Sequence, residues 1–183
     1  GVTYKSTDYS DINRGLPLLN LKSIERGGGF NKDGIKYFNG QYNDSHLVKN
    51  DDLIIACTDI TRGGNVVGYP LHPSVYQNKK MLFTMDLAAL EINGNNIMRD
   101  YLYYVFKSGW VHWAIFAWSP GTTVLHLNME GFQKIKIPLL KTSEQNKCVQ
   151  ILHTYEHNIE FITNIISKSK QLQKSLINEI FSA

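Results

Sequence analysis

A short string near the C-terminal end, His153-Thr154-Tyr155-Glu156-His157, has the residue types and spacing of a metal site. In zinc peptidases with the H-x-x-E-H pattern, two histidines one helical turn apart bind the ion and the glutamate is the general base. Few residues follow His157, so a further ligand and a second helix to form a cleft are hard to supply. We therefore interpret both histidines as surface residues and predict no metal site, cofactor or catalytic residue. A zinc hydrolase is kept as the alternative from another functional class.

Motifs for other catalytic chemistry are missing from the sequence. It contains no G-x-x-x-x-G-K-[ST] phosphate loop, no G-x-G-x-x-G dinucleotide turn and no G-x-S-x-G nucleophile elbow. These motifs place glycines where the backbone approaches a phosphate or turns sharply around a nucleophile. Without them, the sequence gives no argument for nucleotide hydrolysis, dinucleotide binding or elbow-type hydrolysis. We predict a protein that is not an enzyme on its own.

Four polar clusters, at 3–6, 22–26, 58–65 and 118–123, indicate a binding function instead. They are rich in Lys, Arg, Thr, Asn and aromatic side chains, the types that contact phosphates and base edges of nucleic acids. Such clusters are also common in ordinary solvated loops, so the hypothesis depends on their convergence, and we expect Lys5, Arg26, Arg62 and the Thr122-Thr123 loop to lie on one face. The candidate DNA-binding residues are Tyr4, Lys5, Ser6, Lys22, Arg26, Thr58, Arg62, Asn65, Trp118, Thr122 and Thr123.

Composition permits nucleic-acid binding without requiring it. Lys and Arg outnumber Asp and Glu by 19 to 16, a net charge of +3. With 43% hydrophobic residues the chain can form a core, and its two cysteines are too few for a disulfide framework. No apolar stretch reaches the roughly 20 residues that a membrane helix needs. We therefore expect a soluble, cytoplasmic protein with no membrane partner.

A change of composition near residue 140 divides the chain. Before it, short apolar or β-branched runs are separated by glycine-containing turns, and Met98, Leu102 and Phe106 have the spacing of one helix. After it, Gly and Pro are absent. We predict an α+β domain over 1–140, with short strands and one or two helices, and a long coiled-coil-forming helix over 141–183. The expected strands are 16–21, 53–57, 66–69, 81–85, 124–127 and 135–138.

The predicted long helix carries an apolar stripe on one side. Its start is expected at Thr142, in a capping box with Gln145, and its length from there to Phe181 is about 58 Å. Further apolar residues widen the stripe, while the opposite side, including Glu156, is polar and expected to be solvated. The stripe residues, which we predict to form a helix interface, are Tyr155, Ile159, Ile162, Ile166, Leu172, Leu176 and Ile180.

Three stretches, in this order of elements, resemble the specificity subunits of type I restriction-modification systems. The first is GLPLL at 15–19, similar to an early strand of that family. The second is LVKNDDLII at 47–55, in which Asn50 occupies a position where the family prefers glycine. The third is the strongest and runs from LNME at 127–130 through IKIPL at 135–139 to Glu144-Gln145; the family usually has an extra proline just after this segment. The resemblance extends over nearly the whole chain.

The resemblance implies a subunit without catalytic activity that reads one part of a split site in double-stranded DNA. The long helix would be a spacer that pairs antiparallel with a second copy or a second half of the subunit. It would also help to dock the methyltransferase subunits, and through them the restriction subunit, in a bacterial or archaeal cytoplasm. No counterpart of the family's opening strand precedes Gly1, and one recognition domain is present. We expect half of a longer subunit, an engineered piece, or a natural half-subunit that dimerises. The alternative is a recognition domain detached from a single-chain restriction-methylation enzyme.

Overall fold

The computed structural model describes residues 1–181 and has the α+β architecture that the sequence predicts. The predicted segment 141–183 ends in Ser182 and Ala183, which lie outside the described residues. The strands are β1 (Leu16–Leu19), β2 (Lys36–Phe38), β3 (Leu53–Ala56), β4 (Thr58–Asp59), β5 (Leu82–Phe83), β6 (Leu87–Leu90) and β7 (Leu125–His126). The α-helices are α1 (Arg99–Lys107), α2 (Gly109–Ala117), α3 (Met129–Phe132) and α4 (Thr142–Phe181). Single-turn 3-10 helices lie at Ser6–Asp8, Leu21–Ser23, Lys32–Gly34, Asp44–His46 and Pro73–Val75.

Within residues 1–181 the strands form three small sheets. β1 pairs antiparallel with β2 and parallel with β5, and two further antiparallel pairs are β3 with β6 and β4 with β7. In the last pair Thr58 lies opposite His126, and Asp59 lies opposite Leu125. Because the strands are so short, much of the backbone runs through surface loops, where contacts with a partner are usually made.

The core is built on both faces of β3, whose four residues are all fully buried. Successive side chains of a strand point to opposite faces. Leu53 and Ile55 pack in one apolar cluster with α1 and α2, whereas Ile54 and Ala56 pack in a second cluster with residues of the β1 and β5 region. The run of apolar residues predicted as a strand is therefore a central one.

Two of the predicted strands, 66–69 and 135–138, are not strands. The backbone N–H groups of Val66 and Val67 donate to the carboxylate of Asp59, so a neighbouring strand cannot use them. The N–H of Ile135 donates to the carbonyl of Phe132 at the end of α3. Apolar residues in these segments pack on the core as loops, which the sequence pattern does not distinguish from strands.

The start of α4 is fixed by a buried glutamine. Gln145 is 0% exposed; its Oε1 accepts from the Met98 N–H at 2.8 Å, and its Nε2 donates to the carbonyls of Asn96 and Leu140, each at 2.7 Å. The capping interaction lies one residue earlier than predicted: Glu144, rather than Gln145, accepts a hydrogen bond from a backbone N–H at the start of the helix, that of Lys141, at 3.0 Å. Gln145 cannot do this because its side chain is hydrogen-bonded to the segment before α1.

Most of α4 extends away from the rest of the chain. The helix has 40 residues and is therefore about 60 Å long. Cys148 and Val149 pack on the core, and Glu156 is half-buried, but every described residue after Glu156 is exposed. No helix within residues 1–181 is long and apolar enough to cross a membrane.

Candidate functional site

The loop after β4, residues 60–66, is folded around one carboxylate. Asp59 is only 1% exposed, and its Oδ1 accepts from the Thr61 N–H at 2.6 Å and the Thr61 hydroxyl at 2.7 Å. Its Oδ2 accepts from the N–H groups of Val66 at 2.6 Å and Val67 at 3.1 Å. Burial by itself would raise the pKa of Asp59, but these hydrogen bonds outweigh it and lower the pKa below its ordinary value. The loop is closed by an ionised, fully hydrogen-bonded aspartate.

The outer side of this loop is exposed, and its inner side packs on α2. Ile60 is 73% exposed, and Arg62 is exposed as well. Gly64 has φ +63°, and a Cβ at this position would lie 2.2 Å from Cδ2 of Phe116. The left-handed backbone and the close approach both favour glycine. The loop thus presents an apolar and a cationic side chain from a well-supported backbone.

A second loop, which carries Lys22 and Arg26, lies beside the first. The Gly27 N–H donates to the carbonyl of Asn65 at 3.2 Å, which joins the two loops. Between them is an open cleft of about 500 Å³, whose lining includes Lys22, Arg26 and Thr61 together with the carboxylates of Glu25 and Asp33. Both hydrogen-bond donors and acceptors therefore line it, as recognition of base edges requires.

The 118–123 loop reaches the same region through β7. The His126 N–H donates to the carbonyl of Pro120 at 3.1 Å, and His126 lies opposite Thr58 in the β4–β7 pair. Thr122 and Thr123 are exposed. Trp118 is partly covered: its indole packs on Gly131, and Lys134 Nζ lies 5.8 Å from the ring centroid.

The N-terminal cluster lies against β5 and its following turn. Val2 bridges to Thr84, the ring centroids of Tyr4 and Tyr9 are 5.3 Å apart, and the Lys5 N–H donates to Asp8 at 2.7 Å. Lys5 and Ser6 are exposed.

The structure brings Lys22 and Arg26 to the Arg62 loop, and it brings the 118–123 loop to Thr58. Thr58 itself is buried, and its hydroxyl donates to Asp86 at 3.0 Å. A single face shared by all four clusters remains a prediction.

Asp59, Ile60 and His126 are not among the individual candidates that the sequence predicts. The Asp59-Ile60-Thr61 order has the signature of an aspartate-initiated turn, which could have identified the carboxylate as a loop-forming residue. His126 carries no comparable signal in its neighbourhood and is recognised from its exposure opposite Thr58.

The H-x-x-E-H glutamate joins α4 to α1, and the prediction that it is solvated is wrong. Glu156 is half-buried and accepts from Lys107 Nζ at 2.6 Å, the Tyr104 hydroxyl at 2.9 Å and the Tyr103 hydroxyl at 3.4 Å. His72 Nε2 lies 3.9 Å from the same carboxylate. The first turns of α4 lie on α1, so a polar residue on this side faces the domain.

Charge and burial both shift pKa values in the group formed by Glu156, Lys107, Tyr103, Tyr104 and His72. Burial alone would raise the pKa of Glu156, but the hydrogen bond and charge of Lys107, with Tyr104 and His72, lower it below its usual range. Burial lowers the pKa of His72 below its ordinary value. His153 and His157 are exposed, and no group of three His, Cys, Asp or Glu residues within 1–181 is placed to hold a metal ion.

The apolar stripe of α4 is exposed along its whole length. Its residues occur at heptad-like spacing, with Ser169 and Gln173 as polar interruptions. Ile165 and Ile177, also exposed, widen the stripe beyond a narrow two-residue seam. The seven predicted interface residues are between 48% and 66% exposed: Tyr155, Ile159, Ile162, Ile166, Leu172, Leu176 and Ile180.

The amino-acid sequence is similar to that of known DNA specificity subunits. Residues 8–171 match the family described as the type I restriction modification DNA specificity domain. The specificity subunit of the type I restriction enzyme EcoBI from Escherichia coli is 19% identical over 183 residues, which is 100% of this chain and 35% of that protein. The MjaVIII specificity subunit from Methanocaldococcus jannaschii is 24% identical over 152 residues, 82% of this chain and 33% of that protein. The chain therefore spans about a third of the length of these relatives.

A solved structure shows the same fold. The S subunit of a type I restriction-modification system from M. genitalium aligns with a TM-score of 0.64 at 16% identity, covering 100% of this chain and 42% of that one. The short strands and the long C-terminal helix belong to the shared architecture.

Proposed function

Because this chain belongs to the family of type I restriction modification DNA specificity domains, we propose that it binds DNA and selects one part of a two-part recognition sequence. The family match over residues 8–171 is the observation that carries the proposal. We assign the chain a binding and scaffolding role within a restriction and DNA-methylation complex, without catalytic activity of its own.

The supporting geometry is the group of prefolded loops around β4 and β7. Exposed Lys22 and Arg26 in the cleft, and exposed Arg62 on the loop beside it, can neutralise phosphates or donate to base edges. The carboxylates of Glu25 and Asp33 in the cleft can accept from bases. Loops held by a folded scaffold lose little conformational freedom on binding, which favours affinity. We propose residues 1–140 as the DNA-recognition domain.

We propose residues 141–183 as the spacer and assembly element. A rigid helix of about 60 Å, paired antiparallel with a second copy or a second half of a specificity subunit, would place two recognition domains at opposite ends. A fixed separation matters because the two parts of a DNA site must also match in helical phase. Methyltransferase subunits, and through them a restriction subunit, are the further partners we propose for this element.

The experiment is selection by the purified full chain from a library of randomised DNA duplexes, followed by sequencing of the bound fraction. We expect an enriched sequence, and an affinity for it that falls steeply as salt rises, because bound phosphates release counterions. The same preparation, given a methyl donor or nucleoside triphosphates, is expected neither to methylate nor to cut the duplex. Absence of any enriched sequence at low salt would refute the proposal, and methylation by the pure chain would refute its non-catalytic part.

A further inference from the structure

In the 60–66 loop one side chain points inward, and the residues on either side of it are exposed. Thr61 points inward: its hydroxyl donates to Asp59 and accepts from the Asn65 N–H at 3.2 Å. Ile60 and Arg62, on either side of Thr61, are exposed. Within residues 1–181 no carboxylate forms an ion pair with Arg62. Two exposed side chains, Ile60 and Arg62, therefore stand two positions apart on the outside of the loop.

The chemistry of this pair matches two features of the major groove. Guanine offers two acceptors to an arginine, and thymine is the base that offers a methyl group to an apolar side chain. Residues separated by one position lie at most about 7 Å apart, within reach of neighbouring base pairs. Ile60 is 73% exposed and lines the cleft that also carries Lys22 and Arg26, so its apolar side chain is open to a partner that enters the cleft.

We propose that Asp59 is the positioning residue of a prefolded DNA-reading loop in which Ile60 contacts a thymine methyl group and Arg62 a guanine edge at a neighbouring base pair. This inference rests on the DNA-binding function proposed above. Asp59 touches no DNA itself. It acts through the four hydrogen bonds that fix the backbone on which Ile60 and Arg62 stand.

The first test compares Asp59→Asn with Asp51→Asn, using the duplex selected by the wild-type chain and a scrambled duplex. Both variants lose one negative charge, but Asp51 is exposed at the other end of β3 from the loop. An amide nitrogen cannot accept from Val66 and Val67, so we expect Asp59→Asn to reduce the preference for the selected duplex about tenfold or more. Affinity for the scrambled duplex, which depends on phosphate contacts, should change little, and Asp51→Asn should match wild type on both duplexes.

Hydrogen exchange separates positioning from general destabilisation. In Asp59→Asn the amides of Thr61, Val66 and Val67 should exchange faster, while the β3 amides stay protected. Equal preference by Asp59→Asn and wild type, with those loop amides freely exchanging, would overturn the inference and leave the DNA-binding function intact. If Asp59→Asn does not fold, Thr61→Val replaces it, because it removes the hydroxyl that links Asp59 to the Asn65 N–H. Unchanged preference in that variant, with the amides of Thr61 and Asn65 freely exchanging, would equally overturn the inference.

The second test addresses the thymine contact of Ile60. Deoxyuridine lacks the methyl group of thymidine, so replacing the thymine at the proposed position should weaken wild-type binding and leave Ile60→Ala unaffected. If deoxyuridine weakens binding of Ile60→Ala as much as it weakens binding of wild type, Ile60 does not contact the thymine methyl group. A wild-type chain that selects no sequence at all would refute the proposed function itself, which distinguishes that failure from a failure of the loop.

Discussion

Glu156 is a carboxylate whose surroundings, rather than its motif, define its role. Three donors converge on it from α1, and one of them is the ammonium of Lys107 at 2.6 Å. Hydrogen bonds to a charged group are stronger than neutral ones, and they offset the desolvation of a half-buried carboxylate. The residue therefore stabilises the contact between the domain and α4.

Glu156→Gln is expected to destabilise the folded chain by about 1–2 kcal/mol, because a neutral amide interacts weakly with Lys107. Thermal unfolding at neutral pH measures the change. Glu160→Gln is the matched control, since Glu160 is an exposed carboxylate one turn further along α4. Equal unfolding temperatures for both variants would show that the Glu156 cluster contributes nothing.

The effect of Glu156 should depend on pH in one direction. Its pKa is lowered in the folded chain from the ordinary value of 4.5, so its stabilisation is fully present above pH 4.5 and is lost as pH falls through the lowered pKa. The difference in unfolding temperature between wild type and Glu156→Gln should therefore shrink in acid. A difference that grows as the pH falls below 4.5 would contradict this assignment.

Arg62→Ala tests the residue that we expect to meet a base. If the guanidinium contacts a guanine edge, the loss should be about 1–3 kcal/mol and should relax the preference at one position of the selected sequence. A phosphate contact would instead weaken binding to all duplexes alike. Arg14→Ala, another exposed arginine, is the control. Binding of Arg62→Ala that equals wild type on every duplex and at every salt concentration would remove Arg62 from the interface.

At the scale of elements, the junction between the domain and α4 depends on Gln145. Its three hydrogen bonds satisfy the Met98 N–H and the carbonyls of Asn96 and Leu140. These groups belong to the segment before α1 and to the residue before the α4 cap, so one side chain fixes both elements to each other. The Gln145 side chain itself is fully buried, so losing it removes all three hydrogen bonds at once.

Gln145→Ala is expected to reduce the free energy of unfolding by about 2–3 kcal/mol, because three hydrogen bonds of a fully buried side chain are lost, each worth about 0.5–1.5 kcal/mol. Urea unfolding followed by circular dichroism gives the measurement. Gln150→Ala makes the same change at an exposed position of α4 and should be nearly neutral. A cost for Gln145→Ala no larger than that for Gln150→Ala would show that the junction is held by apolar packing alone.

The elements that sequence predicted well are those with a strong local pattern. The helix predicted over 98–106 corresponds to α1, and the Gly-free and Pro-free tail corresponds to α4. The run at 66–69 is a loop rather than the predicted strand because the N–H groups of Val66 and Val67 donate to the Asp59 side chain, a partner that periodicity does not reveal. The exposed side of α4 could be anticipated, but Glu156 faces α1, which depends on tertiary packing.

The candidate site was predictable at the level of loops rather than of residues. Residue type alone selected the clusters with Lys22 and Arg62, and the structure joins those two through the contact between Gly27 and Asn65. Residue type also selected Thr58, whose hydroxyl is turned to Asp86. Which side chain of a loop points outward is set by backbone hydrogen bonds, and composition contains no information about them.

At the scale of the whole molecule, α4 presents more apolar surface than the chain can cover. After Glu156 every described residue of the helix is exposed, including six of the seven large apolar residues of the stripe. Large contiguous apolar patches are uncommon on monomeric soluble proteins and mark interaction sites. The stripe lies to one side of the surface that contacts α1, so the helix can keep its domain contact while another helix packs on it.

Ile162→Glu combined with Ile166→Glu is expected to abolish self-association, because two charges would be buried in the seam. The measurement is molecular mass by light scattering or sedimentation, together with assembly with a methyltransferase subunit where one is supplied. The domain should stay folded, since both side chains are exposed and lie beyond its contacts with α4. Asn164→Glu with Gln171→Glu adds the same charge to the polar side and should associate like wild type. If the isoleucine double variant also associates and assembles like wild type, the stripe is not the pairing surface.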